Sequence, residues 1–209
     1  MTGIPRFAEY EEELRAEHGA PGDRVVTVSG LTGVGTGTLS AFLADELDLA
    51  HVDAGQFFRE KAEEHGMTIE EFDSAAERIE AEQGIDFDEQ WDRTALRYAY
   101  TRDDILLEGR LTGALLQDVA PVRVWVECDV ATVAERIRDR DDPAETLAGE
   151  DAESLEEYVR TRNRKQLARY REKYGVDPTD PSFYNVVIDN GRDLETVQQE
   201  LLERVQELL

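Results

Sequence analysis

The stretch "SGLTGVGTGT", Ser29 to Thr38, follows the apolar run Val25 to Val28 and restricts the possible folds more than any other ten residues. Glycines stand at the first and sixth places of a phosphate-binding loop GxxxxGK[ST], at Gly30 and Gly35. Thr36, however, takes the lysine place and Gly37 the hydroxyl place. A loop of small residues lets backbone N–H groups and the N-terminus of the next helix surround an anion. Leu39, Phe42, Leu43 and Leu47 recur at helical spacing, and Ala50 to Asp53 reads as the following strand. The segment is therefore a parallel βαβ unit with a right-handed crossover. A plain tight turn would use the same glycines, and Asp53 stands where a dinucleotide site places its ribose-binding acid. The glycines do not follow GxGxxG and no tyrosine has the YxxxK spacing, so the phosphate loop is the preferred reading.

Further strands are expected at Ile105 to Leu107, Val122 to Glu127 and Val186 to Ile188, separated by helical patterns. About 50 residues lie between Asp53 and Ile105, and they hold helices around Phe57 to Glu64, Thr68 to Glu82 and Phe87 to Tyr100. Thr68 with Glu71 forms a capping box, and Ile69, Phe72, Ala76 and Ile79 an apolar stripe. Residues 54–103 thus read as an all-helical insertion. A second long gap begins with a helix from Ala131 to Arg140, passes the acidic loop "DDPAETLAGEDAES" and enters a basic helix that stops near Tyr174 at Gly175. Residues 1–22 end in the breaker "GAPGD" and form a helical amino-terminal extension to a domain spanning 23–209.

The chain of 209 residues carries 48 acidic against 23 basic side chains, a net charge of −25, so nucleic acids and anionic membranes are excluded as partners. An acid excess on a patterned, folding chain is a solvated surface that mobile ions must screen, which suggests a halophilic setting. Cys128 is the only cysteine and no stretch approaches membrane-spanning length, so a soluble, reduced, cytoplasmic protein is expected. Cys128 reads as a small apolar filler, and Trp91 and Trp125 as core residues rather than stacking platforms.

Against that background the cations are informative. Ten of the 23 basic residues lie in two short helices: Arg136, Arg138 and Arg140 before the acidic loop, and seven between Arg160 and Lys173 after it. Arg136 and Arg140 share one face, and Arg162, Lys165 and Arg169 another. Some of these pair with nearby glutamates. Guanidinium groups also bind phosphate oxygens through paired hydrogen bonds, so a helix folding over the loop supplies the charge that the loop lacks. Residues 136–165 have the layout of a lid, which excludes water. At the end of the third strand, "LLEGRLTG" places Glu108 where it can hold Mg²⁺ directly or through water, and Arg110 where it can bind an acceptor phosphate. Arg59, in "DAGQFFRE", is the second acceptor-side candidate. His18, His51 and His65 are scattered without metal-ligand spacing.

From Arg24 to Asn190 the chain resembles the archaeal cytidylate kinases of the nucleoside monophosphate kinase group. The resemblance lies in "VTVSGLTGVGTGT", "HVDAGQFFREKAEEHGMTIEEFDSAAE", "LLEGRLTG", "VWVECDVATVAERIRDR", "RNRKQLARYREKYGVD" and "YNVVIDN", in this order. It implies a P-loop kinase, a three-layer α/β/α fold with a five-stranded parallel sheet ordered 2-3-1-4-5, a helical monophosphate-binding insertion and a lid. It implies transfer of the ATP γ-phosphate to CMP, or dCMP, with Mg²⁺. By that resemblance Gly30, Leu31, Thr32, Gly33, Val34, Gly35, Thr36, Gly37 and Thr38 hold ATP, and Arg59 and Arg110 bind the acceptor. Arg136, Arg140, Arg162 and Arg169 neutralise the phosphates. Gly37 departs from the family pattern by removing the hydroxyl expected on Mg²⁺, leaving Thr36 or Thr38 with Glu108 for that role. Open alternatives are a kinase for AMP, UMP or a small metabolite, and a nucleotide-binding pseudokinase with little turnover; a protein partner at the amino-terminal extension is open on either reading.

Overall fold

The computed structural model describes residues 4–139 and 152–209. Five parallel strands, β1 (Arg24–Gly30), β2 (Ala50–Asp53), β3 (Asp104–Glu108), β4 (Val122–Glu127) and β5 (Val186–Asp189), form one sheet in the order β2-β3-β1-β4-β5. Near-continuous Val, Ile and Leu runs such as "RVVTVSG" and "VRVWVE" suit strands covered on both faces. Helices lie on both sides, giving the three-layer arrangement. Among the described residues no helix is long and apolar enough to cross a membrane.

On one face Val26, Val28, Leu106 and Val124 pack with Leu39 and Leu43 of α2 (Thr36–Leu47) and with Val197, Leu201 and Val205 of α9 (Leu194–Gln206). α7 (Val130–Arg138) and Leu155 and Val159 of α8 (Ala152–Tyr174) complete that layer. On the other face Val25, Ile105 and Leu107 meet Leu96 and Ala99 of α5 (Phe87–Thr101) and Leu115 of the short α6 (Thr112–Leu115). Ile4, Phe7 and Leu14 join this second cluster, so α1 (Ala8–His18) and the 3-10 turn before it are part of the core. Phe7 stacks obliquely on Tyr174 at 5.6 Å, and the carboxylate of Glu11, 2% exposed, accepts from Tyr100 Oη at 2.8 Å and Arg15 at 2.9 Å.

The insertion holds α3 (Ala54–Glu64), α4 (Ile69–Gln83) and α5, with a small core of its own in which Phe72 and Phe87 meet at 4.9 Å. The capping box at Thr68 and Glu71 forms with both hydrogen bonds, 2.8 and 3.2 Å. α3 begins three residues before its apolar pattern does, because the Asp53 carboxylate caps it by accepting from Gln56 N at 2.6 Å.

Candidate active site

β1 lies at the centre of the sheet, and the loop that leaves its carboxyl end turns into the N-terminus of α2. The turn depends on Gly35, whose φ of +92° is a conformation that side-chain-bearing residues avoid. A Cβ there would lie 2.4 Å from Asn190 Nδ2. Asn190, 2% exposed at the end of β5, donates from that nitrogen to Val34 O at 2.8 Å and from its backbone N to Glu127 O at 2.8 Å. Arg136 donates from Nη2 to Asn190 O at 2.6 Å and from Nη1 to Cys128 Sγ at 3.7 Å, and its guanidinium stands beside Gly35. Burial raises the Cys128 thiol pKa, with the nearby Arg136 opposing the shift.

The long helix α8 closes on the other flank of the loop. Asn163 Oδ1 accepts from Thr32 N at 3.2 Å, and Thr32 Oγ1 donates to Gln166 Oε1 at 3.4 Å. Arg162, next to Asn163, donates to Tyr158 Oη at 2.8 Å, while its Nε is buried without a hydrogen-bond partner among the described residues. Two turns on, Arg169 donates to Asp88 Oδ1 of α5 at 3.2 Å and Lys173 binds Asp86 at 2.5 Å and Asp88 at 3.1 Å. At 1.5 Å per residue, Arg162 and Arg169 stand about 10 Å apart along the helix, so Arg162 sits in the segment of α8 that touches the loop and Arg169 in the one that touches the insertion. Lys173 is held charged: burial works against it, but Asp88 and Asp86 outweigh that cost and raise its pKa.

The turn after β3 is fixed to the end of β1. Gly109 N donates to Val28 O at 3.1 Å, Thr112 Oγ1 to Gly109 O at 2.7 Å, and Gly113 N to Ser29 Oγ at 3.1 Å. This places Glu108 under the first turn of α2. A Cβ at position 37 would lie 3.7 and 3.9 Å from the two Glu108 carboxylate oxygens. Thr36 turns its methyl back over Gly30, and Thr38 is exposed. The two carboxylate oxygens facing the open hydroxyl place are hard donors of the kind that would take Mg²⁺. Arg110 makes no hydrogen bond or ion pair among the described residues, unlike Arg59, which lies 3.5 Å from Asp53 Oδ1.

The structure thus brings together Gly30 to Thr38, Glu108, Arg136 and the Arg162 segment of α8, and it ties Arg169 to α5. Arg140 and most of the acidic loop lie outside the described residues. Four residues that shape the site carry no motif in the sequence: His51, whose Nε2 lies 3.0 Å from Glu108 Oε2, and Asn163, Gln166 and Asn190. Only strand register could have revealed His51: it pairs with Leu106, one same-face step before Glu108.

A family model described as "Cytidylate kinase-like family" matches residues 25–192. A cytidylate kinase of Methanopyrus kandleri is 38% identical over 177 residues, covering 80% of this chain and 85% of its own. One of Halorubrum lacusprofundi is 39% identical over 168 residues, covering 80% of this chain and 81% of its own. The crystal structure of a shikimate kinase from Bacteroides thetaiotaomicron superposes with a TM-score of 0.61 at 16% identity, over 88% of this chain and 97% of that one, a likeness of fold.

Proposed function

The chain belongs to the cytidylate kinase-like family, and on that premise we propose that it transfers the γ-phosphoryl group of ATP to CMP, giving CDP and ADP. The observation that carries this reading is the convergence of three elements at the carboxyl end of β1: the glycine loop, Glu108 and the helix α8. Backbone N–H groups of the loop and of the first turn of α2 hold the donor's phosphates. Arg110, with no competing ion pair among the described residues, takes the acceptor's phosphate; Arg59 assists by leaving its 3.5 Å contact with Asp53.

Phosphoryl transfer asks the protein mainly to align two phosphates and to neutralise charge on the transferring group. The line from loop to Arg110 does the first, since the hydrogen bonds from Gly109 and Gly113 fix the β3 turn to β1. Arg136 and Arg162 do the second from two sides of the loop; Arg169, about two turns further along α8, faces the acceptor insertion. Glu108 would hold Mg²⁺, whose compact positive charge would offset the donor phosphates. Closing α8 over the loop keeps water from the γ-phosphate.

One observation favours a second reading. Gly37 leaves the loop without a hydroxyl at its metal position, as in a nucleotide-binding protein that has given up turnover. Purified chain with ATP and Mg²⁺, tested against CMP, dCMP, UMP and AMP in molar potassium chloride, separates the two. ADP production that depends on CMP supports the kinase, and ATP binding with no productive acceptor supports the alternative.

A further inference from the structure

The missing loop hydroxyl and the placement of His51 are two parts of one arrangement. In the β2–β3 ladder His51 pairs with Leu106 and Asp53 with Glu108, so all four residues share the sheet face covered by α2. On that face the His51 Nε2–H donates to Glu108 Oε2 at 3.0 Å, with both side chains largely buried, at 25% and 14% exposure. The bond fixes a glutamate that otherwise has three rotatable bonds, and it leaves both oxygens facing the space above Gly37. That space is open: a Cβ at 37 meets the carboxylate at ordinary contact distance, and no positive φ forbids a side chain there.

We propose that His51 is a positioning residue: it holds the Glu108 carboxylate in the place vacated by the loop hydroxyl, so that the metal accompanying ATP is gripped from β3 instead of from the loop. The energetic logic is that a carboxylate free to rotate among rotamers would have to be ordered when the ion arrives, whereas a braced one is ordered in advance. Partners behind metal-binding groups typically contribute about 10- to 100-fold to metal affinity. With glycine at the loop's usual metal-binding hydroxyl place, Gly37, this chain depends on such a partner more than a loop with a hydroxyl at that position would.

The inference rests on the ATP-binding part of the proposed function and not on the identity of the acceptor. It is tested by titrating Mn²⁺, followed by its paramagnetic resonance signal, into the full chain saturated with a non-hydrolysable ATP analogue and no acceptor. His51→Ala should weaken Mn²⁺ binding about tenfold, with analogue affinity in the absence of metal unchanged. His51→Gln, which keeps an N–H at similar reach, should recover most of the loss. In a Gly37→Ser background, where the loop regains its hydroxyl, the same His51→Ala change should cost at most about a third of that factor. A merely structural role would lower the melting temperature of His51→Ala without this dependence on position 37. Mn²⁺ affinity unmoved by His51→Ala, or lost equally in both backgrounds, overturns the proposal. Failure of the unaltered chain to bind the analogue would overturn the donor reading itself.

Discussion

The two regions joined by α8 are built by opposite means. At its loop end, position is set by backbone: Gly35 with positive φ, Asn190 clamping Val34 O, and Asn163 accepting from Thr32 N. At its insertion end, position is set by charge: Arg169 and Lys173 meet Asp86 and Asp88 across to α5, with Asp92 buried beside them. Backbone geometry is indifferent to salt and pH, whereas half-buried charges respond to both. The loop end is therefore fixed, and the insertion end is the part that solution conditions adjust.

The sharpest way to break this contrast is at Gly35. Gly35→Ala forces a Cβ into a φ of +92° and to within 2.4 Å of Asn190 Nδ2. Backbone strain of about 1–3 kcal/mol, with loss of the Asn190 bond at about 1 kcal/mol, should lower the denaturation midpoint and abolish binding of an ATP analogue. A midpoint equal to that of the parent would show that the loop is not set by its backbone.

Arg110→Ala addresses the charged side. Removing a charged hydrogen-bond donor should raise the acceptor's KM by one to two orders of magnitude, on the order of 1.5–3 kcal/mol, and leave analogue binding alone. Equal losses for donor and acceptor would merge the two halves of the comparison.

The smallest effect expected is at Asp92. Burial, with Asp88 and Asp86 nearby, lifts its carboxyl well above the usual range. The folded chain then keeps a proton that the unfolded chain has released, so this residue's contribution to stability falls as pH rises above the ordinary carboxylate pKa. Asp92→Asn keeps the shape and removes the titration. Its gain in melting temperature over the parent should be larger at pH 7 than at pH 4, and equal gains would mean that Asp92 does not titrate in this range.

Much of the fold was legible because its signals are local. Buried strands show as short apolar runs, the capping box at Thr68 as two residues three apart, and the loop as a glycine pattern after a strand. The part of the candidate site that the structure brings together and that lies in such motifs, Gly30 to Thr38 and Glu108, was legible in the same way. His51 and Asn190 were not, because each acts across a sheet or a crossover: His51 on a residue 57 positions away, Asn190 on one 156 away. A single sequence also offers no way to rank ten clustered cations. The structure sets Arg136 beside Gly35 of the loop and pairs Arg162 with Tyr158, whereas Arg164 and Arg160 form exposed pairs with Glu157 and Glu156. The role of residues 4–18 was hidden for another reason: the pattern of a polar helix reveals few anchors, and Ile4 and Phe7 lie before it.

The region shared with the family, residues 25–192, is smaller than the unit that folds. Ile4, Phe7 and Leu14 seal one layer from before it, and Val197, Leu201 and Val205 seal the other from after it. A recombinant fragment trimmed to the shared boundaries would leave greasy surface uncovered on both sides of the sheet, so expression work should keep both flanks, and an affinity tag at the front needs a spacer ahead of Ile4.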